Sequence, residues 1–297
     1  IFMIAGYNTI SMGTGRREFN PKKERPGLEH YLKEAGQGVL QQIGGAGNVD
    51  EGVVGNFMAS RFNKQAHLGA FLGMIDPQLR LKPSMRVEGA CASGGLALVT
   101  GIKSALSGSA DVVLALGVEV QNTVKAIYGA DILAGAGWFQ RRKEGHAYFF
   151  PGQFSDRAGV YFEKVGREKS RKAFARWYRN AIENARLCPT AQEYENKTAD
   201  LEALALTEPN PKSFTDHLNV FDCSKVSDGA SAIAIVTEEG LKRCSVALKH
   251  AVEIAGIGHA ADDLTALPAD PARLDTVAHA VKIALESAGI TAGDLAT

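Results

Sequence analysis

The feature that most constrains the fold is a regular alternation of short apolar runs with longer helical periods over residues 1–120. Runs such as IFMIAG at 1–6 and ADVVLALGVE at 110–119 have the apolar character of buried strands. Between them, GLEHYLKEAGQGVLQQI at 27–43 and SGGLALVTGIKSALSG at 93–108 place apolar residues at helical spacing. Strands that alternate with helices are typical of layers built around a mostly parallel sheet. The sequence therefore predicts the α/β fold class.

The residue composition changes after about residue 120 and changes back near residue 218. A long middle stretch has few β-branched runs but many aromatic and charged residues, which predicts an inserted helical and loop-rich domain. The run HAVEIAGIGHAA is weakly similar to IFMIAGYN at the start of the chain, since both are apolar runs that reach Ala-Gly. It is therefore expected to be the first strand of another layer, in a duplicated core. The predicted organisation is a first core domain at 1–120, the inserted domain at 121–217, a return to the first core domain at 218–242, and the start of a second, incomplete core domain at 243–297.

Composition and charge narrow the classes of function. Lys plus Arg and Asp plus Glu each number 33, so the formal net charge is zero, and neither a nucleic acid nor an anionic membrane is the expected partner. No apolar run reaches the roughly 18–20 residues of a membrane span, so none is predicted. No Cys-x-x-Cys pair occurs, so we expect reduced thiols, no zinc site and no metal; the four cysteines are Cys91, Cys188, Cys223 and Cys244.

Cys91 lies where one predicted element ends and the next begins, and its neighbours are the smallest residues available. If a strand ends here and a helix starts, unpaired N–H groups and the positive end of the helix dipole favour a thiolate. Small neighbours such as Gly89, Gly94 and Gly95 permit a sharp turn and let a substrate approach the backbone. Local chemistry alone leaves two interpretations, a nucleophile that forms a thioester and a small buried structural cysteine.

Two longer motifs carry a family resemblance. The stretch VEGACASGGLALVTGIKSALSG followed by DVVLALGVEVQN is similar to the nucleophile segment of thiolases, in which a Cys-Ala-Ser-Gly run opens a buried helix before a strand that ends in Gly-x-Glu. The stretch SKVSDGASAIAIVTEE resembles the Asp-Gly-Ala strand of the same family. The segment GWFQRRKEGHAYFFPGQF is most similar to the sterol-carrier-type thiolases.

The resemblance implies the thiolase fold, a layered α-β-α-β-α arrangement of duplicated core domains with an inserted loop domain. It implies that Cys91 is the acylated catalytic nucleophile and that its backbone amide contributes to an oxyanion hole. Ser224 matches the serine that contacts the pantetheine of coenzyme A, although an ordinary turn serine would fit the same sequence. Coenzyme A and acyl-CoA are then substrates, and no permanently bound cofactor is expected.

The implied activity is a reversible acyl transfer between a cysteine thioester and CoA or acetyl-CoA, which cleaves or forms a 3-ketoacyl-CoA in fatty acid or sterol-type lipid metabolism. The resemblance also implies a homodimer or homotetramer and a mitochondrial or, alternatively, a peroxisomal location. Residues 141–186 contain twelve basic and five acidic residues. Their excess charge is a candidate contact for the CoA phosphates, and a solvated helix face is the alternative.

Several further motifs of the family do not occur. The sequence has no Gly-His-Pro, no late Cys-x-Gly, and neither an Asn-Glu-Ala-Phe nor a His-Asp-Cys-Phe loop. His259 follows a glycine but precedes the region where the family histidine belongs, so it is expected to be a loop residue. We therefore expect the chain to stop before the catalytic part of its second core. Two alternatives stay open: another condensing enzyme of the ketoacyl or hydroxymethylglutaryl-CoA synthase type, and a non-catalytic acyl-CoA-binding paralogue.

Overall fold

The computed structural model describes residues 1–141 and 147–296. Residues 142–146, which include three of the charged residues counted above, and Thr297 lie outside the described residues. The strands are β1 (Phe2–Asn8), β2 (Glu51–Gly55), β3 (Ser84–Val87), β4 (Val112–Glu119), β5 (Gly229–Val236) and β6 (Val252–Glu253). The helices are α1 (Leu28–Gln42), α2 (Ala59–Phe62), α3 (Leu72–Ile75), α4 (Ser93–Leu106), α5 (Ala126–Leu133), α6 (Phe149–Val165), α7 (Arg167–Ala185), α8 (Leu201–Ala205), α9 (Glu238–Arg243) and α10 (Asp275–Ala288).

The strands form one mixed sheet in the order β3-β2-β4-β5-β1-β6. β2 pairs in parallel with both β3 and β4, whereas β5 lies antiparallel between β4 and β1. Strands β1 to β4 therefore share one direction, and β5 runs against them. This arrangement confirms the predicted α/β class. The sheet is mixed, however, and not mostly parallel as expected, because three of its five strand pairings are antiparallel, including that of β6 with β1.

Helices cover both faces of this sheet. α1 buries Leu32, Ala35 and Val39 against one face, and α4 buries Ala97 and Ile102 against the other. Successive residues of β4 alternate between the two cores, because side chains along a strand point to opposite faces. A strand that is covered on both faces is apolar at every position, which explains the unbroken run VVLAL in the sequence.

A carboxylate at the entrance to β2 ties three elements together. Asp50 Oδ2 accepts hydrogen bonds from the backbone N–H groups of Asp111 (2.9 Å) and Val112 (3.0 Å), where β4 begins. Its Oδ1 accepts a hydrogen bond of 2.6 Å from Nη1 of Arg243, in the last turn of α9. Burial raises the pKa of Asp50, but these hydrogen bonds act more strongly and bring it below the ordinary value.

The stretch between β4 and β5 contains α5 to α8 and, among its described residues, no strand. α6 and α7 are consecutive helices joined at Gly166, whose φ of 95° lies in the left-handed region that glycine tolerates. Phe162 and Phe174 pack between the two helices, with Ala158 and Leu218 completing a small separate cluster. The helical segment thus has a hydrophobic centre of its own beside the main sheet.

The segment HAVEIAGIGHAA differs from the expectation of a strand in another layer. Val252 and Glu253 pair antiparallel with Met3 and Phe2 at the edge of the same sheet. One further bond runs from Ile254 N to the backbone oxygen of Ile1, at 2.9 Å, and the ladder ends there. An apolar run cannot by itself indicate which sheet edge it will join, since that depends on which backbone groups are left unpaired.

Of the helices in residues 1–141 and 147–296, none combines the length and the apolar composition that crossing a membrane requires. The same residues contain no cluster of three or more His, Cys, Asp or Glu side chains arranged to hold a metal ion.

Candidate active site

Cys91 lies on a tight turn between β3 and α4, at the carboxyl edge of the parallel strands. Ala90 adopts a φ of 51°, in the left-handed region. The turn is fixed by Ser93, whose Oγ donates to the backbone oxygen of Ala90 at 2.6 Å and accepts from Gly89 N at 3.1 Å. A carboxylate oxygen of Glu88 accepts a further hydrogen bond from Ala90 N. Cys91 itself is exposed, unlike a buried structural cysteine.

The start of α4 lies directly on the backbone of the neighbouring strands. A Cβ added at Gly55 of β2 would be only 2.3 Å from the backbone oxygen of Ser93. At Gly117 of β4, the register partner of Gly55, the nearest atom is Gly94 Cα at 3.9 Å. Two glycines therefore let the helix begin close to the sheet, and the positive end of its dipole lies beside Cys91.

A cavity of about 2170 Å³ opens in front of this turn. Cys91 and Ser224 both line it, so the structure brings the two sequence-predicted site residues to one cavity. Ser224 is exposed and lies in the irregular segment that leads into β5. Much of the wall is aromatic, and the aromatic residues include Phe57, Tyr148, Phe154, Tyr161, Trp177 and Phe221.

Two carboxylates, the buried Asp228 and the half-buried Glu119, line the same cavity and were not assigned as site residues from sequence. Asp228 Oδ1 accepts hydrogen bonds from the backbone N–H groups of Gln121 (2.7 Å) and Asn122 (2.9 Å). Glu119 accepts from Asn56 Nδ2 and from Gln121 Nε2, each at 3.1 Å. Burial raises the pKa of Glu119, although its hydrogen bonds act in the opposite direction. The signal that could have identified both is their position next to a strand end.

The other cysteines differ in environment. Cys188 is exposed and lines the cavity, and a hydrogen bond with the Thr190 side chain lowers the pKa of its thiol. Cys223 also lines the cavity but is half-buried, and burial, followed by the nearby charge of Asp222, raises its pKa to about 11. Cys244 is buried in the core, where burial raises the pKa of its thiol.

The basic residues between 141 and 186 are mostly engaged with the protein itself. Of those that the structure describes, only Arg157 lines the cavity, and its guanidinium donates to the backbone oxygens of Pro271 (2.9 Å) and Arg273 (3.0 Å). Other members form ion pairs: Lys164 with Asp270, Arg167 with Glu208, Arg171 with Asp222, Lys172 with Glu168, and Arg179 with Glu202. This pattern favours a structural role for most of the basic residues over the phosphate-binding face considered above.

Among the described residues no histidine lines the cavity, and His146 lies outside them. His259 lies in an irregular segment, as its sequence context indicated.

These observations define an α/β protein in which an exposed cysteine opens a helix that packs against the sheet, at the mouth of a large apolar cavity. The model of the thiolase N-terminal domain matches residues 17–149. Residues 17–149 therefore belong to the thiolase N-terminal domain family, as the Cys91 motif predicted.

The chain is similar to two archaeal proteins named acetyl-CoA acetyltransferase. It is 30% identical over 270 residues to the protein of Methanothermobacter thermautotrophicus, a match that covers 89% of this chain and 66% of the relative. It is 30% identical over 237 residues to that of Methanocaldococcus jannaschii, covering 78% of this chain and 56% of the relative. The chain thus spans between about half and two thirds of the length of these curated relatives.

Solved thiolase structures share the fold. The human mitochondrial 3-ketoacyl-CoA thiolase in complex with CoA matches with a TM-score of 0.61 and 16% identity, covering 99% of this chain and 77% of that one. A monomeric SCP2-thiolase-like protein from Mycobacterium smegmatis matches with a TM-score of 0.65 and 17% identity, covering 100% and 59%. These matches confirm the predicted thiolase fold.

Proposed function

We propose that the protein is a thiolase-type acyltransferase that uses Cys91 as its nucleophile. The sulfur of Cys91 adds to the C3 carbonyl of a 3-ketoacyl-CoA, and the C2–C3 bond breaks. Acetyl-CoA leaves with the electron pair of that bond and takes up a proton. The acyl group stays on Cys91 as a thioester until a CoA thiol accepts it, and the reverse sequence is a condensation.

The observation that carries this proposal is the exposure of Cys91 at the start of α4, in a cavity that also contains Ser224. The positive end of the helix dipole favours the negative oxygen of the tetrahedral intermediate. The bonds from Ser93 to Gly89 and Ala90 fix the backbone of the turn that carries Cys91 before a substrate arrives. Preorganised groups of this kind need no rearrangement during the reaction.

Coenzyme A and acyl-CoA are the proposed substrates, with Ser224 contacting the pantetheine chain. The support is twofold: Ser224 lies on the wall of the cavity that holds Cys91, and the human structural neighbour was solved in complex with CoA. The mostly apolar wall suits a pantetheine and acyl chain, with polar groups at a few positions.

We further infer a role in fatty acid or sterol-type lipid metabolism, in the mitochondrion or the peroxisome, as a homodimer or homotetramer. The family membership supports these inferences, while one structural neighbour is described as monomeric. Light scattering on the purified protein measures the oligomeric state, and fractionation of its source cells locates it.

A second candidate is an acyl-CoA-binding protein that does not turn over. It is favoured by one observation: no histidine among the described residues lines the cavity beside Cys91. Binding without acyl exchange is the outcome that would separate this candidate from an acyltransferase.

The test is intact-mass analysis and peptide mapping after incubation with acetoacetyl-CoA. We expect an acetyl adduct on Cys91 that a CoA thiol removes, and no adduct in Cys91→Ser. Cys188 is an internal control, because it is an exposed thiol that lines the same cavity. Equal acetylation of Cys188 would indicate nonspecific chemistry and would contradict the proposal, and tight CoA binding without any adduct would favour the second candidate.

A further inference from the structure

The segment that carries Ser224 begins at a buried ion pair. Arg171, on α7, donates from Nη1 to Oδ2 of Asp222 at 2.5 Å, and the two side chains are only 7% and 5% exposed. The second arm of the guanidinium, Nη2, donates to the backbone oxygen of Ala205 at 2.6 Å. Asp222 therefore joins α7 to the chain two positions before Ser224.

The same carboxylate also organises its own loop. Asp222 Oδ2 accepts a hydrogen bond of 2.8 Å from Asn219 N, and Asn219 Oδ1 in turn accepts from Phe221 N at 2.8 Å. Asn219 Nδ2 donates to the backbone oxygen of Ala205 at 2.8 Å, so Asn219 and Arg171 both donate to this one carbonyl group. The turn at residues 219–222 is fixed by all of these hydrogen bonds and therefore has few alternative conformations.

The downstream side of the segment is anchored independently. Lys225 pairs with Glu193 at 2.5 Å, and Ser227 donates to the side chain of Gln192. Between these anchors, residues 223–224 have no regular secondary structure and lie on the cavity wall. The ion pair at Asp222 is thus the fixed point on the upstream side of Ser224.

We propose that Arg171 and Asp222 are positioning residues for the pantetheine chain of a CoA-type ligand, which they affect by holding the segment of Cys223 and Ser224 against α7. This inference rests on the proposed function, because it assigns Ser224 to that ligand. Neither residue takes part in the acyl step, so their effect falls on ligand affinity. Removing Arg171 leaves a buried carboxylate without its partner, which releases the segment toward solvent.

The first test measures steady-state kinetics in the thiolytic direction. We expect Arg171→Met to raise the KM for CoA about tenfold, as loss of a charge-assisted hydrogen bond would, with kcat within about twofold of the wild type. Arg171→Lys keeps the charge but loses the second arm, and we expect a smaller rise in KM. The matched control is Arg179→Met: Arg179 also lies on α7, but it pairs with Glu202 of α8 instead of with Asp222.

The second test needs no enzymatic activity. Cys223 is half-buried with a raised pKa, so iodoacetamide is expected to alkylate it slowly in the wild type. The unpaired charge of Asp222 in Arg171→Met would raise this pKa further and slow alkylation. Faster alkylation of Cys223, read by peptide mapping, would therefore report movement of the segment.

Wild-type KM and wild-type alkylation of Cys223 in Arg171→Met would overturn the inference. Faster alkylation with unchanged KM would also overturn it, because the segment would then move without affecting the ligand. If the wild-type protein transfers no acyl group, the proposed function fails, while CoA affinity by calorimetry still tests the positioning role. If Arg171→Met does not fold cooperatively, Asp222→Asn, which keeps an acceptor for Asn219 N, is expected to raise the KM or Kd for CoA in the same direction.

Discussion

Gly55 lies beneath the first residues of α4, so Gly55→Ala tests whether close packing of the helix start governs Cys91. The added Cβ would be 2.3 Å from the backbone oxygen of Ser93 and 3.0 Å from Gly94 N. Ordinary contacts begin at 3.4 Å, so the helix start would have to retreat by roughly 1 Å. These atoms belong to the backbone and cannot rotate away as a side chain does.

Overpacking of this kind costs about 1–3 kcal/mol. At the usual sensitivity of a large domain, the midpoint of thermal unfolding should fall by about 2–10 °C. A displacement near 1 Å at a reacting group can cost about a hundredfold in rate, so we expect a loss of that order in acetylation of Cys91. Circular dichroism measures the midpoint, and peptide mapping over time measures the rate.

Gly117→Ala is the matched control. Gly117 pairs with Gly55 in the ladder and lines the same cavity, but an added Cβ would only make a contact of 3.9 Å with Gly94. We expect its stability to be unchanged or raised by at most about 1 kcal/mol. If Gly55→Ala matched the wild type in both assays, or if Gly117→Ala lost as much, the packing argument would be refuted.

Three further predictions concern the turn, the core and the thiols. Ser93→Ala removes both bonds that fix the turn and should cost about 1–3 kcal/mol in urea unfolding, whereas exposed Ser107→Ala should change the stability by less than about 0.5 kcal/mol. Burial raises the pKa of Asp50, but its hydrogen bonds outweigh burial and lower it, so its contribution to the free energy of unfolding is present above the ordinary value of 3.8 and is lost as pH falls further. Asp50→Asn should therefore be less stable by on the order of 1 kcal/mol at pH 7 and converge on the wild type in acid. A constant difference between the two proteins across pH would contradict this. Iodoacetamide at pH 8 should alkylate Cys188, whose pKa is lowered, well before Cys223, whose pKa is about 11, and the reverse order in peptide mapping would rule the argument out.

The α/β class and the position of Cys91 could be predicted because both depend on local pattern. Strands buried on both faces are apolar at every position, and a run of Gly, Ala and Ser between two such elements indicates a tight turn. The antiparallel placement of β5 between β4 and β1 could not be predicted in the same way. It joins segments more than a hundred residues apart, and an apolar run does not specify its partner.

The charged residues show the same limit. A sequence shows an excess of positive charge between 141 and 186, but not which carboxylate or carbonyl group each side chain meets. Arg171 pairs with Asp222, and Arg157 donates to the backbone oxygen of Pro271. Both contacts form only in the folded chain. Glu119 and Asp228 stand in the two family motifs of the sequence, yet their hydrogen bonds depend on strands that approach from elsewhere.

The hydrogen bond from Gln121 N to Asp228 has a consequence for how sequences of this kind can vary. The chain leaves the sheet at Gln121 and returns to it at Asp228, and this hydrogen bond of 2.7 Å between Gln121 N and Asp228 Oδ1 closes the loop between them. The entropic cost of a closed loop grows only slowly with its length. The excursion between these two residues could therefore lengthen, shorten or exchange its helices while the sheet and the turn at Cys91 stay in register.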